Sequence, residues 1–231
     1  MRRPPGRIAP ILQGSPNEWI KRLAGRHQPF AALAVTPDER GQLDSWLVSR
    51  FVSATLQLER GNVEQLTNAL REVITPANAE GRAARLTPQM LAKLGGAFRT
   101  SDDSADRPTA QVPAAYLARA VENACDWFTA ESFAELNPVE QAAIVFLRLA
   151  AVRPFEQANQ ATALVAASLF TLRAGLPPVV IKPELQAAFR QAMAEADRMN
   201  MQPIVELFAD AVGQTLDEMT GFVKQMRGGR E

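Results

Sequence analysis

Residues 137–175 read NPVEQAAIVFLRLAAVRPFEQANQATALVAASLFTLRAG, and this stretch decides the fold. Asn137, Pro138 and Glu140 occupy the cap, first and third positions of a helix start, where a side-chain acceptor, a pre-set φ and a carboxylate each suit unpaired N–H groups. The spacing therefore predicts a helix from Pro138. Over 139–151 only Glu140, Gln141 and Arg148 are polar, which leaves little face for water and puts this helix in the middle of a helical core. A second apolar helix is expected over 159–174, carrying Leu164, Val165, Leu169, Phe170 and Leu172 and closed by Gly175. Two buried helices then flank one short loop.

That loop, 153–161, reads RPFEQANQA. It is similar to the signature loop of the Fic family, whose pattern is His-Pro-Phe, any residue, Asp or Glu, then Gly-Asn-Gly-Arg, set between two buried helices. The Asn137 and Pro138 start and the exit over 172–178, LRAGLPP, resemble the family as well. The resemblance implies a mainly α, Fic-like helical bundle around a buried central helix pair, with a small β-hairpin flap. As activity it implies adenylyl transfer from ATP to a hydroxyl side chain of another protein, or transfer of a related phosphate-linked group.

The chain departs from that pattern where the chemistry sits. Arg153 stands in place of the proton-accepting histidine, and a permanently charged guanidinium cannot act as a general base. Gln157 replaces the acidic metal ligand and offers a carbonyl without charge. Ala158 and Gln160 replace both cradle glycines, adding side chains where backbone N–H groups must approach a phosphate. Ala161 replaces the phosphate-contacting arginine. Pro154, Phe155 and Asn159 are retained, and each has a reading without catalysis: Pro154 and Phe155 shape and anchor the loop, and Asn159 caps the next helix. No catalytic residue is intact on this reading, and no cofactor is expected. ATP and magnesium enter only if Glu156 takes over metal binding one position early while Arg153 clamps a phosphate.

Residues 53–62, SATLQLERGN, are similar to the family's inhibitory-helix motif: Ser or Thr, three residues, Glu, then Gly or Asn. Thr55 and Glu59 match, and Arg60 interrupts. The resemblance implies that such a glutamate pairs with a second arginine, three residues beyond the signature one, and crowds out the terminal phosphate of the nucleotide. Here that position is Leu164. Glu59 is thus either a solvated carboxylate near a helix end or a group that approaches Arg153, the one cation introduced at the loop.

Composition bounds the rest. The 231 residues, 47% of them hydrophobic, suffice for a sizeable core, and 25 basic residues balance 25 acidic ones. That balance argues against a general affinity for nucleic acid or anionic membrane. No apolar run approaches the ~18 residues of a membrane span, and no export or lipidation signal is evident, so a cytoplasmic protein is expected. The single Cys125 reads as a packed thiol, and the single His27, in the sequence HQPF, lacks the neighbours of a metal site.

The expected organisation has four parts. Residues 1–35 form an arm with a short helical segment over 17–23. Residues 36–95 form an N-terminal helical region: a capping-box helix from Thr36 to about Glu59, then one capped by Asn62 that ends at Thr75 and Pro76. Residues 96–200 form the Fic-like core. Within it, 97–111 is polar and turn-rich where the family carries its flap, and Phe98, Arg99 and Thr100 on one arm with Thr109 and Val112 on the other would dock a target peptide by strand addition. Trp127 and Phe128 are read as core. Residues 201–231 form an amphipathic helix whose stripe packs on its own core or makes a homodimer through 203–226. The function expected is a catalytically inactive Fic-like regulatory module that binds a protein at the flap or a small ligand in the cleft. Alternatives are an active transferase with a rearranged site, or a structural subunit of a homo-oligomer.

Overall fold

The structure, a computed structural model, describes residues 18–59, 61–96, 114–155 and 158–229. Its centre is a helical hairpin. Asn137 opens α7 (Pro138–Val152) with a full capping box: its side chain accepts from the Val139 N–H at 3.0 Å, and its own N–H donates to Glu140 Oε2 at 2.9 Å. The second arm, α8 (Asn159–Leu172), is buried at every position from Ala161 to Thr171, as the lack of a polar face requires. Gly175, at φ 79°, closes it, with the Leu176 N–H returning to the Thr171 carbonyl at 3.0 Å. The buried Ser168 hydroxyl then accepts from the Val179 N–H, which pins the exit segment through Val180 and Ile181 to the core.

The remaining helices wrap this pair. α3 (Val63–Glu80) and α4 (Pro88–Gly96) pack on α8, α2 (Pro37–Leu58) packs on α3, and α5 (Ala114–Trp127) reaches α7, followed by the short α6 (Glu131–Ala134). On the other side α10 (Gln202–Gly228) packs on α7 and α9 (Gln186–Ala196), and α1 (Glu18–Ala31) lies along α10. The fold is the expected mainly α bundle around a buried central helix pair. The described residues contain no strand, and the flap positions Phe98, Arg99, Thr100, Thr109 and Val112 lie outside them. No helix among the described residues is long and apolar enough to cross a membrane.

Two expectations about elements are corrected. The helix expected to stop at Pro76 runs through it to Glu80: the lost hydrogen bond is outweighed by a stripe that continues past the proline, with Leu66, Leu70, Val73 and Ala77 all buried. The short helix expected over 17–23 extends to Ala31, because Arg22 and Arg26 pair with Asp210 and Asp217 on α10 and Phe30 is buried. Gly213 permits that approach, since a Cβ there would sit 2.8 Å from the Arg26 guanidinium. Ile204, Leu207, Phe208, Ala211, Val212, Leu216, Met219 and Val223 of α10 are buried within the chain, which is the own-core packing of the two readings given for this stripe.

Candidate functional site

The loop between α7 and α8 is held at both ends in left-handed backbone. Arg153 ends α7 at φ 48°, ψ 59°, and Ala158 precedes α8 at φ 51°, ψ 34°. Neither is glycine, so each stores strain. Pro154 is buried, and the half-buried Phe155 ring packs against α4, where a Cβ at Gly95 would collide with it. Glycine is required at 95 for this contact.

Asn159 was expected to cap α8, and it does not. Its Oδ1 accepts from the Phe155 N–H at 3.0 Å and its Nδ2 donates to the Phe155 carbonyl at 2.7 Å, closing a clasp across the loop. The residue in the cap position is Ala158, which has no side-chain acceptor. The cap comes from 102 residues away: Glu59 Oε2 accepts from the Ala161 N–H at 2.8 Å, and the Gln160 N–H also donates to this carboxylate. A carboxylate at a helix N-terminus satisfies free donors and the positive end of the macrodipole together.

Glu59 reaches this point because α2 ends one residue earlier and its backbone turns extended, at φ −144°, ψ 139°. Burial pushes its pKa up from the ordinary carboxylate value, while the Ala161 and Gln160 N–H groups and the charge of Arg153 pull it down. Glu59 and Arg153 do line the same cleft. The hydrogen bonds of the carboxylate nevertheless go to α8, and no ion pair joins it to Arg153 among the described residues. The matching Thr55 is buried. Gln157 and Glu156 lie outside the described residues.

In front of the loop opens a cleft of about 930 Å³. Glu59, Arg148, Arg153, Ala158, Asn159 and Gln160 line it, together with the apolar side chains of Trp127, Leu147, Met193, Met199 and Met201. Trp127, expected in the core, is 38% exposed here, with its ring braced 5.0 Å from that of Phe133, whereas Phe128 is buried as expected. Cys125 is buried and its thiol is pushed up to about 11, chiefly by that burial. The methionines of the lining were not legible in the sequence; Met199 combines 72% exposure with φ 66°, and neither property has a sequence signal.

Backbone donors of the first turn of α8, where a phosphate could be held, already serve Glu59, so this arrangement does not fit a phosphate there. The described lining of the cleft contains no histidine.

Residues 79–171 match the profile of the Fic/DOC family. The protein adenylyltransferase fic-1 of Caenorhabditis briggsae is 28% identical over 133 residues, covering 58% of this chain and 26% of that protein. The chain thus spans about a quarter or less of the length of the curated relatives it matches. A Fic-domain signaling protein from Bacteroides thetaiotaomicron superposes with a TM-score of 0.76 at 16% identity, over 88% of this chain and 98% of that one. A structure of IbpAFic2 covalently tethered to Cdc42 superposes with a TM-score of 0.54 at 16% identity, over 85% of this chain and 70% of that one. These structural likenesses bear on the fold, and the sequence match is to the Fic/DOC family over residues 79–171.

Proposed function

We propose that this is a Fic-fold protein without adenylyl transferase activity, a regulatory or binding module that uses the inherited cleft for a small ligand and the segment at 98–112 for a protein partner. The observation that carries the reading is the Glu59 carboxylate hydrogen-bonded to the N-terminus of α8, where a transferase would need to hold phosphate. Arg153 adds to it, because the position that should accept a proton carries a group that cannot.

A second reading, an active transferase, has one observation in its favour: the curated relatives are named protein adenylyltransferases. One experiment separates the two. Purified protein is incubated with adenine-labelled ATP, magnesium and a cell lysate, as wild type, as Glu59→Gly and as the double variant Glu59→Gly with Arg153→His. Only the first two must stay unlabelled on our reading, and label on a protein with either would overturn it. The melting temperature gives an independent check, since a ligand with Kd of ~10 μM at ~1 mM adds about 2.7 kcal/mol to the folded state. Magnesium-ATP is expected to leave the wild-type melting temperature unchanged.

A further inference from the structure

The chain closes two of its helices with the same pair of hydrogen bonds and different residues. After α8, the Leu176 N–H returns to the Thr171 carbonyl at 3.0 Å and the Gly175 N–H to the Leu172 carbonyl at 2.9 Å, with Gly175 at φ 79°. After α9, the Asn200 N–H returns to the Glu195 carbonyl at 3.0 Å and the Met199 N–H to the Ala196 carbonyl at 2.9 Å, with Met199 at φ 66°. The left-handed residue of this closure is ordinarily glycine, because a Cβ is strained there. Methionine therefore stands, at a steric cost, where glycine serves freely on α8. The turn is also stapled: the Glu195 carboxylate accepts from the Arg198 guanidinium at 2.8 Å and from the Asn200 side-chain amide at 3.3 Å.

Packing does not offset that strain, since the Met199 side chain is 72% exposed. Met90, Met193, Met201 and Met226 are half-buried, and Met219 is 3% exposed. Met199 nevertheless lines the cleft. A fixed turn thus presents to water one thioether that belongs to the cleft lining.

We infer that Met199 is a site of reversible oxidation to methionine sulfoxide, the oxidant being hydrogen peroxide or an alkyl hydroperoxide. A sulfur lone pair attacks the outer oxygen of the hydroperoxide, and the S–O bond forms as the O–O bond breaks. Sulfur gives up two electrons, and the departing oxygen takes the hydroperoxide's proton and leaves as water or an alcohol. The product replaces an apolar group of the lining with a polar, hydrogen-bond-accepting one. Because the side chain is exposed, the fold tolerates the change, whereas a sulfoxide at the buried Met219 would disrupt the core. The inference stands apart from the reading of the cleft as one without transferase chemistry, since no nucleotide takes part.

The experiment treats the folded full chain with dilute hydrogen peroxide and follows oxygen addition at each methionine by mass spectrometry. Sites are assigned by fragmentation, because Met199, Met201 and Met219 share the tryptic peptide 199–224. Met199 should oxidise fastest, by about threefold or more over Met193 and Met201 and by at least about tenfold over Met219. In the urea-unfolded chain the rates should agree within about twofold, since the selectivity comes from the fold. Met199→Leu should remove the fast phase. Chain oxidised at Met199 alone should melt within about 1 °C of the untreated chain, and the two epimer-specific methionine sulfoxide reductases together should remove the oxygen. Met199→Gly, which keeps the closure without the side chain, should melt about 2 to 4 °C higher. Another methionine oxidising first, equal selectivity in the unfolded chain, a fast phase that survives Met199→Leu, or a sulfoxide that resists both reductases would each overturn the inference. So would a lower melting temperature for Met199→Gly, or one that falls by several degrees on oxidation of Met199, because either would show the side chain to be held for packing.

Discussion

Glu59 is a carboxylate whose folded-state pKa is raised above 4.5, because burial outweighs the two N–H donors and Arg153. The sign follows from linkage: the folded state holds the proton more tightly than the unfolded chain, so stability falls as pH rises from about 4.5 through the folded value and stays lower above it. Glu59→Gln keeps an oxygen for the Ala161 N–H and removes the charge. Its melting temperature should equal or exceed that of wild type at pH 7, with the difference closing by about pH 4. A variant melting several degrees lower at pH 7 would show the charge to be net stabilising. Ala158 poses a backbone question of the same scale. An alanine at φ 51° carries a steric cost that glycine lacks, so Ala158→Gly should stabilise by about 1 kcal/mol, read as a higher denaturant midpoint at unchanged m.

At the scale of elements, the loop is fixed by two contacts that the sequence half disclosed. The retained Phe155 and Asn159 marked a shaped loop, but the partner of the ring, Gly95 on α4, lies sixty residues upstream, and no local pattern announces such a close approach. The αL turns at Arg153 and Ala158 were hidden for a plainer reason, since an alanine and an arginine give no hint of positive φ. Asn159 misled because an Asn before an apolar run is ordinarily a cap; here the N–H groups it would satisfy are taken by Glu59, whose approach is a tertiary event. By contrast, the central helices were legible because Asn137, Pro138, Glu140 and Gly175 carry local start and stop signals, and the structure uses all of them. Two substitutions measure the anchor. Phe155→Ala removes a half-buried ring and should cost about 2 kcal/mol, below the 3 to 5 of a fully buried one; Gly95→Ala should cost about 1 to 3 kcal/mol by overpacking against the same ring. Combined, the two should cost less than their sum, because the alanine at 155 vacates the space the new methyl needs. Strict additivity would show that the ring and Gly95 do not meet.

Across the whole molecule, α2 and the end of α10 are fastened by one ion pair between the buried Glu39 and the exposed Arg227. Glu39, in the capping box of α2, receives Arg227 of α10 through Nε at 2.8 Å and Nη2 at 2.9 Å, and Arg227 also donates to the Leu33 carbonyl. These hydrogen bonds from Arg227, with the backbone N–H of Thr36, lower the Glu39 pKa to about 2. Here the sign is opposite to that of Glu59. The contribution is fully present above about pH 4.5 and is lost as pH falls through about 2. Glu39→Gln should therefore flatten the loss of melting temperature between pH 4.5 and 2, while lowering the value at pH 7. The fastening also bears on assembly. It holds the last turns of α10 against α2, so the helix that looked available to a second copy presents its apolar side inward, from Ile204 to Val223. Light scattering of the 25.2 kDa chain should accordingly report a monomer at micromolar concentration. Arg227→Ala, which frees the end of the helix, is the variant in which a larger mass should first appear. A wild-type mass of twice the chain would mean that copies associate through a face other than this stripe, because burying it a second time would require the core to open.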